Sequence, residues 1–305
     1  MFKFIKKHQK ATKITAIVIL SLAVLAVGAI LIINKLVGDI KPPEEISATE
    51  DFEYETLDSL KEVYKVPEEE LSLSISDYAE SDAYKVYRRA YNNFLNSGNY
   101  YISTEGYTNA NGIYVNINNE KKFDGVNFFM HTRSLAEDGG MFAQASDGSN
   151  RHYLYVNNQG GANFATVERL NPYDETEVLK EKVLSEKDYV FNYGAIPYAS
   201  CNYTIRENTI LSATLTKDEG TGLYVIAFNL HPVDSTVNQV KNMYAISGTD
   251  VSYEDGSVLY TVYVDSNFMI RKVTVEETYT VKALGVSMGA DAGLTDTYFY
   301  PGEEG

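Results

Sequence analysis

Cys201 is the single cysteine of the chain. A thiol attacks only as its thiolate, which needs a base to take the proton and a positive neighbour to steady the oxyanion. His131 and His152 upstream and Arg206 shortly after are the residues that offer this. A second nucleophile pattern is Gly285-Val286-Ser287-Met288-Gly289, a G-x-S-x-G. That elbow works only on a sharp strand-to-helix turn, with an acid and then a histidine later in the chain. The last histidine is His231, upstream, and residues 290–300 (ADAGLTDTYFY) carry no helical pattern, so the glycines read as a loop.

The order histidine, cysteine, arginine resembles that of the sortases, and the resemblance implies transpeptidation by a Cys201 thiolate with Arg206 at the oxyanion. Sortases carry Thr-Leu-x-Thr-Cys at a strand end, whereas here the run is Tyr198-Ala199-Ser200-Cys201. A lone cysteine is more often a small buried hydrophobe. No catalytic residue is therefore assigned, and the cysteine transpeptidase stands as the alternative reading.

Metal sites find no support in the spacing. His131, His152 and His231 lack a second histidine at i+2 or i+4. Asp147-Gly148-Ser149-Asn150 and Asp265-Ser266-Asn267 look like fragments of calcium loops, but neither continues to the required carboxylate. They read as turns, in which Asp, Asn and Ser bond their own backbone. No metal and no cofactor is expected. Tyr100, Tyr101, Tyr107, Tyr114, Tyr153 and Tyr155 raise the idea of stacking on sugar rings. Trp is absent, however, and Tyr is a good strand residue in its own right. Asn202-Tyr203-Thr204 is a glycosylation sequon.

The charge of −16 divides sharply at Lys41. Residues 1–41 hold seven Lys and one Asp, while the rest holds 19 basic against 41 acidic side chains. So acidic a body repels phosphate backbones, and no nucleic-acid partner is expected. From Ile14 to Ile33 the chain reads ITAIVILSLAVLAVGAILII without a charge. At about 1.5 Å per residue this run spans the roughly 30 Å hydrocarbon core, which predicts a transmembrane helix and the lipid bilayer as a partner through residues 14–33. Lys3, Lys6, Lys7, Lys10 and Lys13 precede it. The positive-inside rule then predicts a single-pass protein of the cell membrane, N-terminus cytoplasmic and C-terminal part extracytoplasmic. The rival is a cleaved signal peptide ending at Ala26-Val27-Gly28, but cleavage there would leave the apolar AILIINKLVG as the new N-terminus.

The expected organisation is a basic tail (1–13), the membrane helix (14–33), an acidic extracytoplasmic stalk (34–76) and a β-rich ectodomain (77–305). Pro42-Pro43 and eleven acids between Glu44 and Glu70 predict a solvated spacer, although Phe52, Tyr54, Leu57, Leu60 and Val63 could form a short docking helix. Ala83, Val86, Tyr87, Ala90, Tyr91, Phe94 and Leu95 make one helical stripe ending at Gly98. Beyond it the period becomes two: Ile113, Val115 and Ile117 alternate with Tyr114 and Asn116, as do Phe128 and Met130 with Phe129 and His131. Val258, Tyr260, Val262 and Val264 share a face. Roughly ten antiparallel strands follow from this pattern, with helices expected at Asp174–Asp188 and Ser235–Ile246. The fold class is α+β, with a long curved antiparallel sheet packed on a few helices.

The helix AYKVYRRAYNNFLNSGNY leading into meander strands, and the late run LYVIAFNLHP, a helix, then VLYTVYVDSNFMIRKVTVEETYTV, resemble the LolA/LolB and LppX/LprG class of envelope lipoproteins. The resemblance implies a half-barrel sheet holding a lipid or other apolar ligand. On that basis Ile113, Val115, Phe128, Met130, Leu154, Phe228, Val262 and Val264 would line the cavity; the plain alternative is that they form a closed core. The function expected is a membrane-anchored extracytoplasmic ligand-binding or envelope-assembly module, with an apolar ligand or a cell-envelope protein as partner. A purely structural surface protein is the further alternative.

Overall fold

The computed structural model describes residues 42–110, 112–137, 147–156, 163–283 and 286–302. The expected membrane helix, residues 14–33, lies outside the described residues. Among the described residues no helix is long and apolar enough to cross a membrane.

The chain from Pro42 opens with an irregular strap and helix α1 (Leu57–Val63), followed by helix α2 (Ala83–Ser97). Strands β1 (Tyr100–Ala110), β2 (Ile113–Phe123), β3 (Asn127–Ala136), β4 (Gly148–Tyr155), β5 (Phe164–Asn171) and β6 (Asp174–Ser185) come next. Then follow α3 (Glu186–Tyr193), β7 (Ile210–Lys217), β8 (Tyr224–Leu230), α4 (Pro232–Ser235) and α5 (Val237–Ser247). The chain closes on β9 (Asp250–Val264), β10 (Ile270–Ala283) and β11 (Val286–Phe299).

Among the described residues eleven strands join one antiparallel sheet in the order β6-β5-β4-β3-β2-β1-β11-β10-β9-β8-β7. The sheet is open, because β6 and β7 end it without pairing to each other. Two meanders, β1 to β6 and β7 to β11, are zipped together where β1 lies beside β11, with Ile102 opposite Tyr298 and Thr104 opposite Asp296.

Helix α2 forms as its stripe predicts: Ala83, Val86, Tyr87, Ala90, Tyr91, Phe94 and Leu95 are all buried, and Gly98 ends it with φ of 64°. Tyr87 meets Phe228 of β8 edge-on at 5.4 Å, while Phe94 meets Tyr298 of β11 at 5.5 Å. On the same sheet face Tyr189 of α3 packs on His152 of β4, and Tyr198 stacks on Phe123 of β2. The helices thus seal one face, here called the inner face.

Two expectations are corrected. Residues 174–188 were expected to be helical, but Asp174–Ser185 form strand β6, and only from Glu186, capped by Ser185, does a helix run. In β6, Lys180 and Lys182 point to the inner face, where Glu45 meets them. That distant partner fixes a period of two which the local sequence hides. Residues 42–76 were expected to be a spacer, yet they belong to the folded body: Leu60, Tyr64 and Ile75 are buried, and the Tyr64 hydroxyl donates to the Ile205 carbonyl at 2.9 Å. The remainder of the expected stalk, residues 34–41, lies outside the described residues.

Candidate functional site

The strand register settles where each expected ligand contact lies. Phe128, Met130, Leu154, Phe228, Val262 and Val264 belong to one continuous inner-face core, in which Phe228 and both valines have no measurable exposure. Val115 is buried and Ile113 half-buried farther along β2. These side chains are filled against α2, α3 and one another. The closed-core alternative therefore describes the six that lie under the helices.

A cleft of about 280 Å³ does open, but elsewhere. It lies between the strap and the body, and none of the eight residues lines it. Tyr64, Tyr91 and Ile196 contribute to its apolar wall, and Cys201, Arg206 and Lys241 also line it. Its position under α1 and the strap was not legible in the sequence, because it depends on residues 52–64 folding back.

Cys201 and Arg206 come to this one cleft, but the histidines do not join them. The Cys201 thiol donates to the Tyr203 carbonyl at 3.2 Å and lies 3.7 Å from the Tyr260 hydroxyl; burial pushes its pKa up. Arg206 pairs with Glu55 and lies over the Tyr64 ring at 5.3 Å. His152 shares a hydrogen bond of 2.8 Å between its Nδ1 and the Tyr189 hydroxyl, and burial pushes its pKa down to about 3. His131 Nε2 lies 3.0 Å from Ser149 Oγ. The thiolate–imidazole pair of the transpeptidase alternative is not assembled from these residues.

His131 meets instead a serine and an acid, a contact that the sequence spacing did not show. Ser149 Oγ donates to Glu175 Oε1 at 2.9 Å, and that oxygen lies 3.4 Å from His131 Nε2. A relay needs the acid on the nitrogen opposite the serine. Here both crowd the same nitrogen, and Ser149 is 2% exposed. The cluster instead holds the β5–β6 hairpin down, since Arg133 also reaches Glu175 and the Pro172 carbonyl.

The G-x-S-x-G serine is a strand residue: Ser287 of β11 pairs with Lys282 of β10, and Gly285 lies outside the described residues. Of the two calcium-like fragments, Asp265-Ser266-Asn267 is a turn, as expected, whereas Gly148, Ser149 and Asn150 open strand β4, with Ser149 and Asn150 paired on both sides, so the turn expected there is corrected. Asp265 Oδ1 accepts from the Asn267 and Met269 amides at 2.8 and 3.0 Å, and Asp147 Oδ1 from the Ala136 amide at 2.7 Å. Among the described residues no cluster of three potential metal ligands occurs. The sequon asparagine, Asn202, is half-buried and donates to Gln239.

The other sheet face is rich in exposed aromatics. Tyr101, Tyr107, Tyr114, Tyr153 and Tyr155 point outward, as register and burial agree, whereas Tyr100 is an inner-face core residue. Phe129, Phe164 and Phe299 share the outer face with them. Sequence alternation placed such residues opposite the core but could not align them across strands.

No family model matches the chain, and no curated protein does. Among solved structures, a DUF1329 family protein from Desulfovibrio piger shares 10% identity at a TM-score of 0.25, covering 74% of this chain and 96% of that one. MucB of Pseudomonas aeruginosa in complex with MucA shares 10% identity at a TM-score of 0.16, covering 70% and 93%. A second MucB complex, with MucA(peri), gives 0.14. Superpositions this loose assign neither fold nor function to the chain.

Proposed function

We propose that this protein is a membrane-anchored, extracytoplasmic module of the cell envelope that works through an exposed surface rather than by enclosing an apolar ligand. Residues 14–33 anchor it with the N-terminus cytoplasmic, on the strength of the uncharged run and the lysines before it. The observation that carries the reading is the contrast between the sheet faces. The inner face, where the cargo of a half-barrel carrier would lie, is filled by the protein's own side chains. The outer face presents large aromatic rings to solvent, with Tyr155 49% and Phe164 53% exposed. Such a patch on a soluble surface marks an interaction site.

The test is photo-crosslinking in intact cells, with a photoreactive residue at Tyr155 on the outer face or at Leu71, exposed between α1 and α2. The reading predicts a discrete crosslinked envelope component from position 155 and none from position 71. Crosslinks to cytoplasmic proteins, or equal weak labelling from both positions, would contradict it.

A further inference from the structure

One row of the outer face aligns four aromatic rings and a lysine across five strands. The register aligns Phe299 of β11, Tyr101 of β1, Lys122 of β2, Phe129 of β3 and Tyr153 of β4 directly opposite one another, at right angles to the strands. Neighbouring strands lie about 4.7–4.9 Å apart, so aligned side chains repeat at that interval. The rings follow it: Tyr101 and Phe299 have centroids 5.6 Å apart, Phe129 and Tyr153 5.3 Å apart. Lys122, 56% exposed, sits between the pairs, with its ammonium 5.3 Å from the Tyr101 centroid and 5.9 Å from that of Phe129. Lys122 thus lies over the two central rings, which are half-exposed, while Tyr153 at the end of the row is 39% exposed.

A further ring on this face rests on a glycine. Tyr107 of β1 stands opposite Gly293 of β11, and a Cβ on that glycine would come within 2.8 Å of the Tyr107 ring. The missing side chain is the seat on which the ring rests against the sheet. The ring is 38% exposed, with its centroid 6.0 Å from that of Tyr114.

We infer that this face binds an uncharged, extended polysaccharide of β-1,4-linked pyranose units, a class of partner that rests on the envelope reading above. The strand interval is close to the length of one pyranose unit. The C–H faces of such a chain can meet successive rings, while its hydroxyls reach Lys122 and, on the same outer face, the amides of Asn116 and Asn118. An acidic polymer fits poorly, because the body from Pro42 onward carries far more acid than base. The same surplus argues against single-stranded nucleic acid, which also stacks on aromatic rows.

The test is calorimetric titration of the full chain, in detergent micelles, with the β-1,4-linked hexasaccharides of glucose and of N-acetylglucosamine. Binding of at least one is expected. Tyr101→Ala and Tyr153→Ala should each weaken it about three- to tenfold, the worth of one stacked ring. Tyr244→Ala, an exposed ring on α5, should leave it unchanged, and unaltered urea midpoints would show that the variants are folded. Absence of binding by both hexasaccharides, or binding indifferent to Tyr101→Ala and Tyr153→Ala, overturns the inference. The envelope reading survives that result if position 155 still crosslinks to an envelope protein, so the two failures are distinguishable.

Discussion

Glu45 and Lys180, 135 positions apart, meet at 2.9 Å, and this contact ties the start of the folded body to the edge strand of its sheet. Glu45 also lies 3.4 Å from Arg169 and accepts from the Tyr193 hydroxyl at 3.0 Å, while its carbonyl accepts from Lys182. Burial works against its charge, but the bonds from Lys180 and Tyr193 hold its carboxyl below the usual range. Removing it leaves clustered cations without their counter-ion. Glu45→Ala should therefore cost about 2 kcal/mol in urea unfolding and expose residues 42–56 to protease. A strap as resistant as in the parent chain would show that the cluster does not hold it.

His152 makes stability depend on pH. Its folded pKa, about 3, lies below its unfolded value near 6.5, so the unfolded chain binds the proton first as pH falls. The contribution is complete above about 6.5 and is lost progressively toward 3, amounting to about 2–3 kcal/mol by pH 4.5. Glu277 acts with the opposite sign. Burial raises its carboxyl, against bonds from the Tyr203 and Tyr253 hydroxyls, so its protonation favours the folded state as pH falls. Comparison with His152→Gln isolates the histidine. Between pH 6.5 and 4.5 the parent should lose stability more steeply than the variant, and parallel curves would sink the assignment.

The two sheet faces should respond differently to the loss of one ring. Phe228→Ala removes a fully buried side chain under Tyr87 and should cost about 3–5 kcal/mol. Tyr155→Ala, about half exposed, should stay within about 0.5 kcal/mol of the parent. Urea midpoints decide, and similar losses at both positions would contradict the filled inner face.

Cys201 should behave as a structural thiol. With its pKa pushed up by burial, it should react slowly with a disulfide reagent at neutral pH in the folded chain and fast in urea. Cys201→Ala should cost less than about 1.5 kcal/mol. Rapid labelling of the folded chain would restore the transpeptidase alternative.

Local patterning made much of this fold legible. The stripe from Ala83 to Leu95 and the alternation around Val115, Phe128 and Val262 name the right elements and the right buried faces. What failed depends on partners far along the chain. Lys180 and Lys182 look like the solvated side of a helix until Glu45 is brought to them, and Tyr64 looks like a spacer residue until it finds the Ile205 carbonyl. The aromatic row escaped for a related reason. Each ring was visible in its own strand, but aligning Phe299 with Tyr101 requires the pairing of β11 with β1 across most of the chain.

The most direct test of a surface-acting module is whether its body carries apolar cargo. A protease site placed within residues 34–41 would let the folded part be cut from its own membrane, recovered without detergent and weighed by native mass spectrometry. The filled core predicts a mass with no apolar adduct, before and after incubation with membrane extract. A discrete adduct that dissociates as a lipid would contradict the account and return the inner face to the role of a carrier.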